Sequence, residues 1–585
     1  MIRSVLAAAG VLMAATAAAA QSPDLGTEQQ RESGKKLYDK YCAQCHGASG
    51  DGQGVAAPFV KPKPRDFTAG KYKIRTTPSG SLPTHQDLED IIRKGMPYSS
   101  MPAWPIFDDQ QLDDLVYYVK SFSVDFANPD LVPTPIEIPE PPSITPESIE
   151  QGRQIFDELG CAGCHGSVGR TDGSSAPTLA DDWGNHLMPV DMTKRWTFRG
   201  GPTRKDIFRA FSTGLNGTPM PSYYESLDEE KRWHLVNYID SLGWGDDPGY
   251  DALVTAKKVA GSIDLERASE LFADAPESYF PVVGQIMQPE REFWPSANGI
   301  LVRAVYNDSD VAIELRWHDM RAETEGKNGP GLEVPAFDVD PYRGGAAAGG
   351  GGEAEDEGGF WGEEETGGGG EESFWGEEAE ADAGGDDFWG EDEGGGAAGS
   401  LAPDREFSDA VAIQFPQQIP TGIRRPYFIF GDAQNPVDLW FLDLAAGAPE
   451  QFVGRGHELL ESQGIADLTA RASYDRGEWT AVFIRPLRSA GGVPFEEGLF
   501  VPVAFSVWDG FNRERGNKRG LTQWVHLYLE PGGKVSPVGP MIRAAGLATL
   551  IELLVVVFLR RKHAGGTVSQ PAADLGRTAD GRESA

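Results

Sequence analysis

Cys42-Ala43-Gln44-Cys45-His46 and Cys161-Ala162-Gly163-Cys164-His165 hold all 4 cysteines of the 585-residue chain. Two thiols and an adjacent imidazole at this spacing form the pattern for covalent attachment of a c-type haem, with the His on the iron. A zinc site is the competing reading of C-x-x-C, and it requires further Cys or His ligands close by. A thioredoxin-like redox site requires no His. Two complete copies favour two covalently held haem c groups, on Cys42, Cys45, Cys161 and Cys164, with His46 and His165 as axial iron ligands.

Aligning the copies on the His finds a second axial ligand. Gly95-Met-Pro-Tyr-Ser-Ser-Met101-Pro102 falls on Gly214-Leu-Asn-Gly-Thr-Pro-Met220-Pro221, so Met101 and Met220 each stand 55 residues after their His. Met96 aligns with Leu215, which cannot bind iron, leaving Met101 and Met220 as the expected sixth ligands. Gly34, Tyr38 and Tyr41 correspond to Gly152, Phe156 and Leu159, and Leu115-Val-Tyr-Tyr118 to Leu235-Val-Asn-Tyr238. On these residues the two segments, 27–125 and 148–247, resemble class I cytochrome c domains, in which terminal helices cross at a Gly and an aromatic. Seven prolines from Pro129 to Pro146 make the connecting segment, 126–147, a semi-rigid linker. His plus Met ligation leaves no open iron position, which favours electron transfer over catalysis. A dihaem peroxidase-type enzyme is the alternative.

Beyond the second repeat, residues 262–537 change to alternating and β-branched runs: 299–317, 410–415, 437–442, 479–484, 500–508 and 524–529. Asn307-Asp-Ser-Asp310 reads as a hairpin turn within the first. The expected fold here is an antiparallel β-sandwich. It resembles the haem-binding domain of the ethylbenzene dehydrogenase gamma-subunit family through Val302-Arg-Ala-Val-Tyr-Asn307, Leu315-Arg-Trp-His-Asp319, Phe407-Ser-Asp-Ala-Val-Ala-Ile-Gln-Phe-Pro416 and Ala504-Phe-Ser-Val-Trp-Asp-Gly-Phe-Asn-Arg-Glu-Arg515. That resemblance implies a non-covalent b haem held between a Met and a Lys, and a partner enzyme with molybdenum and iron–sulfur subunits. Lys518 stands at the Lys position, with Arg519 one residue out of register. Phe430 stands where the Met is expected, Met287 and Met320 are out of register, and His318, His457 and His526 are lone histidines. Retention of the b haem, or its loss from a docking domain, is open at this point. A carbohydrate- or partner-binding module carrying the cytochromes is a further alternative.

Charge and hydropathy set the location. There are 52 Lys plus Arg against 89 Asp plus Glu, a net charge of −37 that argues against nucleic-acid binding. Of these acids, 18 lie in the Gly-rich insert 344–399, which has no Lys or Arg and reads as disordered. Phe360-Trp-Gly-Glu363 recurs there at 374 and 388, an interval of 14. Arg3 followed by an apolar run ending in Ala18-Ala19-Ala20 reads as a signal peptide, residues 1–20. Val538 to Leu559, 22 residues, would reach about 33 Å as a helix and cross a membrane. Arg560, Arg561 and Lys562 place the tail, 560–585, in the cytoplasm by the positive-inside rule. The sequence therefore reads as an exported, single-pass membrane protein on the periplasmic face, an electron-transfer protein or non-catalytic oxidoreductase subunit rather than an enzyme in its own right.

Overall fold

The computed structural model describes residues 24–243, 249–284, 296–334, 407–420, 425–456, 459–464, 467–489, 492–532 and 538–564. The expected signal peptide, the acidic insert with its Phe-Trp repeats, His457, Met287 and the tail beyond residue 564 lie outside these residues. Residues up to Leu529 form one unit, and Glu530 onward a second.

Eight helices build the N-terminal part: α1 Glu28–Tyr41, α2 Ala43–His46, α3 His85–Lys94, α4 Asp109–Lys120, α5 Pro146–Glu158, α6 Ala162–His165, α7 Arg204–Thr213 and α8 Glu229–Leu242. The sequence starts them locally. Thr27 with Gln30, Thr84 with Asp87, Asp108 with Gln111 and Thr203 with Asp206 form capping boxes, which satisfy amides that have no intrahelical partner. α1 crosses α4 at Gly34, and α5 crosses α8 at Gly152. A Cβ at Gly34 would lie 2.0 Å from the Asp114 carbonyl oxygen, and one at Gly152 would lie 2.0 Å from that of His234. Only glycine allows this approach. Tyr38 and Phe156, one turn further on, are fully buried in the two cores.

The β region has strands β1 Leu253–Lys258, β2 Ser278–Pro281, β3 Val283–Gly284, β4 Gly299–Tyr306, β5 Asp310–His318, β6 Ala410–Pro416, β7 Val437–Asp443, β8 Pro449–Gly454, β9 Leu460–Gly464, β10 Thr469–Asp475, β11 Glu478–Pro486, β12 Phe500–Trp508, β13 Gly520–Leu521 and β14 Val525–Leu529. A one-turn helix, α9 (Ala268–Leu271), lies between β1 and β2. The hairpin at Asn307 forms between β4 and β5, its Oδ1 accepting from the amides of Ser309 at 2.8 Å and Asp310 at 2.7 Å. The strand order is β10-β11-β5-β4-β1-β14-β12-β6-β7-β8-β9. β12 passes between two layers: Phe500–Val503 pair with β14, whereas Ala504–Trp508 pair with β6. Val254, Ile300, Val302, Ile413, Trp440 and Phe505 belong to the core they enclose.

Within 262–537 the described strand pairs are all antiparallel, and the sheet becomes mixed through one strand outside those bounds. β1, which precedes residue 262, runs parallel to both β4 and β14. Parallel neighbours need a long crossover, and the residues separating β1 from β4 and from β14 are ample for one.

In the second unit, α10 runs from Val538 to Ala564. Its stretch Met541–Lys562 is long and apolar enough to cross a membrane, with a mean hydropathy of 2.2 over its most apolar 18 residues. The helix continues five residues past the expected end of the span at 559.

Candidate haem sites

Each Cys-x-x-Cys-His sequence forms a single helical turn, α2 or α6, ended by a glycine at positive φ: Gly47 at 77° and Gly166 at 78°. The imidazoles are oriented from behind. His46 Nδ1 donates to the Arg65 carbonyl oxygen at 3.0 Å, and His165 Nδ1 to that of Val190 at 3.4 Å. This leaves each Nε2 as the lone-pair nitrogen, the arrangement common to metal-bound histidines. Burial holds both imidazoles below the ordinary histidine range, so they are neutral and able to donate to a metal. The His46 ring stacks on Phe67 with centroids 4.4 Å apart. Burial pushes the Cys42 thiol up to about 12 and raises Cys161 as well.

The methionine loops share three hydrogen bonds. Gly95 and Gly214, both at φ 67°, end α3 and α7. The Met96 amide then donates to the Met101 carbonyl at 3.0 Å, and the Leu215 amide to the Met220 carbonyl at 3.1 Å. Ser99 Oγ donates to the Met96 carbonyl at 2.8 Å and accepts from the Met101 amide at 3.2 Å. Thr218 Oγ1 does the same between Leu215, at 2.7 Å, and Met220, at 3.3 Å. These hydroxyl residues were not singled out from the sequence. Their signal was present, because Ser99 and Thr218 occupy the same position two residues before each Met.

Cys161, Cys164, His165 and Met220 line one cavity of about 1220 Å³. The space exceeds the roughly 300–1,000 Å³ usual for ligand pockets and suits a group as large as a porphyrin. Lys73 and Arg199 also line it. Burial, rather than a facing acid, dominates at both and lowers their pKa, that of Lys73 to about 8. Buried cations in this setting suit an anionic ligand such as the carboxylates of a haem. In the second domain the donor set, the cavity and the buried cations fit a covalently bound haem c.

The segment 61–81 of the first domain packs on the methionine loop of the second. Arg75 is fully buried and donates to the Thr213 carbonyl at 2.7 Å and the Gly214 carbonyl at 3.2 Å. The Gly80 amide donates to Asn216 Oδ1 at 3.1 Å, Lys71 pairs with Asp182, and the Arg65 guanidinium lies 4.5 Å from the centre of the Trp183 ring. Met96, Tyr98 and Arg75 reach the cavity of the second domain from this side. On the other side, His318 of β5 closes on the loop after α6. Its Nε2 donates to the Arg170 carbonyl at 2.7 Å and also meets Thr171 Oγ1.

The residues implied for a b haem do not fit one. Phe430 is fully buried, at φ 55°, and the Arg519 guanidinium lies over its ring at 3.7 Å. Arg519 is itself fully buried and donates to Ser506 Oγ at 3.1 Å, Asn517 Oδ1 at 3.2 Å and the Phe428 carbonyl at 3.3 Å. The space beside Phe430 is thus taken by protein. Lys518 sits in a turn whose amide donates to the Arg515 carbonyl at 2.8 Å, and its charge acts on Asp509 and Glu514. Met320 is buried elsewhere, after β5.

Comparison with known proteins bears on the two helical domains. The cytochrome c family model matches residues 32–123 and 149–243. These two segments are cytochrome c domains. The chain is 29% identical over 174 residues, 29% of its length, to a putative respiratory nitrate reductase haem subunit of Haloferax mediterranei. It is 27% identical over 125 residues, 21% of its length, to the chlorate reductase gamma subunit of Ideonella dechloratans. It spans 62% of the length of the first of these proteins and 51% of the second. A chain of the Kuenenia stuttgartiensis reducing HAO-like protein complex is 43% identical, with 36% of this chain and 96% of that one covered and a TM-score of 0.35. The two cytochrome c domains imply covalently bound haem, and the C-terminal helix is long and apolar enough to cross a membrane.

Proposed function

We propose that the chain is the membrane-anchored electron-transfer subunit of a periplasmic oxidoreductase, and that His46 with Met101 and His165 with Met220 are the axial pairs of two haem c groups. The carrying observation is the duplicated site: two Cys-x-x-Cys-His turns and two methionine loops with the same hydrogen bonds, joined across one buried interface by Arg75. Haem c supplies a one-electron iron couple, and a His–Met pair raises its potential. The chain's own residues hold that couple in place. Arg65 and Val190 fix the imidazoles, and Ser99 and Thr218 fix the methionine loops.

The reading of the partner rests on relatives named as haem or gamma subunits of nitrate and chlorate reductases. A molybdenum enzyme with an iron–sulfur subunit is the class of partner consistent with them and with the gamma-subunit resemblance of the β region. α10 then anchors the chain with its Arg560-Arg561-Lys562 end in the cytoplasm.

The test is recovery of the tagged full-length chain from membranes in mild detergent. Co-purification with a molybdenum protein, and haem absorbance that changes on addition of that enzyme's substrate, is the expected result. A chain isolated without such a partner, whose ferric haem binds cyanide readily, would favour the peroxidase-type alternative.

A further inference from the structure

At one end of the β region five carboxylates are buried together. Asp319 and Glu323 follow β5, Asp409 precedes β6, and Asp509 and Glu514 follow β12; their exposures are 2%, 5%, 0%, 6% and 1%. Asp319 accepts from the Arg321 amide and Asp509 from the Asn512 amide, both at 3.1 Å, and two more accept three bonds each. Asp409 accepts from the Glu323 amide at 2.7 Å, Trp479 Nε1 at 3.0 Å and the Gly510 amide at 2.8 Å. Glu514 accepts from the Asp509 amide at 3.0 Å, Asn512 Nδ2 at 2.7 Å and the Ser296 amide at 3.2 Å.

The other three converge. One carboxylate oxygen each from Asp319, Glu323 and Asp509 lies within 4.8 Å of the other two. Neither oxygen of Glu323 accepts a hydrogen bond of normal geometry. Its charge is offset by Arg321, whose Nε is 3.0 Å from Oε1, and by the Phe511 amide. Lys518 acts on Asp509 and Glu514. Among the described residues, five acids against these two cations leave a buried excess of negative charge, which is costly in a low-dielectric interior.

We propose that Asp319, Glu323 and Asp509 bind one calcium ion, which pins the chain after β5 to the chain after β12. Calcium takes six to eight oxygens at about 2.3–2.6 Å, so oxygens on one shell are up to roughly 5 Å apart, which accommodates this cluster. Magnesium keeps several waters and demands an octahedron, for which a dry pocket of three carboxylates is poorly suited. The set contains no sulfur or imidazole, so zinc and copper are disfavoured. The position gives the ion a second consequence. His318, next to Asp319, and Asn512, which holds Glu514, both line the cavity of the second cytochrome domain. The clamp therefore braces the wall of that haem site, and it does so whichever oxidoreductase the chain serves.

The test uses the haem-loaded full-length chain in detergent, stripped with a chelator and then titrated with calcium or magnesium chloride. The expected result is one calcium retained per chain by elemental analysis, and a melting temperature raised by roughly 5 °C or more at saturating calcium but not at equal magnesium. Glu323→Gln should raise the melting temperature of the stripped protein, abolish the calcium response and leave the covalent haem content unchanged. Failure to retain calcium, with a melting temperature that calcium does not move, overturns the proposal. So does an undiminished calcium response in Glu323→Gln. Should that variant fail to fold, the wild-type titration decides alone.

Discussion

Replacing Arg75 with Met should loosen the two cytochrome domains from each other. The guanidinium is fully buried and supplies two inter-domain hydrogen bonds, to Thr213 O at 2.7 Å and Gly214 O at 3.2 Å. Gly214 O also accepts from Thr213 Oγ1 at 3.2 Å, so it keeps a partner in the variant and Thr213 O loses the stronger bond. An orphaned buried acceptor costs about 1–3 kcal/mol and a shared bond about 1 kcal/mol. Burial also holds the Arg75 pKa down to about 10, so removing the charge recovers part of its desolvation. The net loss should be about 2–3 kcal/mol, which corresponds to a melting temperature lower by roughly 4–12 °C. Arg75→Lys should recover only part of this, because one ammonium cannot reproduce the two-pronged geometry. Thermal unfolding followed by circular dichroism, with limited proteolysis of the 126–147 linker, reads the effect. A melting temperature within about 1 °C of wild type, with unchanged cleavage, would show that Arg75 does not hold the domains together.

Three further substitutions test other parts of the account. Gly152→Ala places a Cβ 2.0 Å from the His234 carbonyl, forcing α5 from α8; it should cost about 3 kcal/mol and lower covalent haem loading on the second domain, read by peptide mass. Thr218→Val keeps the shape of the methionine loop but removes two hydrogen bonds, about 1–2 kcal/mol, and should weaken the Met–iron charge-transfer band in the ferric spectrum more than it affects haem content. His318 faces Arg170, Lys194 and Asp191, and burial holds its pKa below 6.5. A depressed pKa means that its stabilising contribution is complete above pH 6.5 and is lost as the pH falls through the folded value. Wild type should therefore lose stability below pH 6.5 more steeply than His318→Gln, and parallel pH–stability curves would rule this out.

The cytochrome sites were legible because their determinants are local and duplicated. A five-residue motif, a Met at constant spacing and a Gly–aromatic pair at the helix crossing each appear twice, and a fold that depends on such spacings can be read from them. Strand positions such as 410–415 and 500–508 were visible for the same reason, through alternation and β-branching. β1 was not. Its Leu253-Val-Thr-Ala-Lys-Lys258 is short and half exposed, and its place between β4 and β14 is set by partners far along the chain. Nor were Arg75 and the acidic cluster, which act across elements with no sequence pattern to link them. The b-haem question turned on one position. Phe430 in place of a Met left it open in the sequence, and the packing of Phe430 against Arg519 shows how the space is used.

The chain is expected to carry two covalently bound haem c groups and no b haem. A pyridine haemochrome spectrum of the purified full-length chain, quantified per polypeptide and repeated after acid–acetone extraction, tests it most directly. Two haems of the c type, both resisting extraction, and none of the b type are expected. Fewer than two covalent haems, or an extractable b haem, would contradict it.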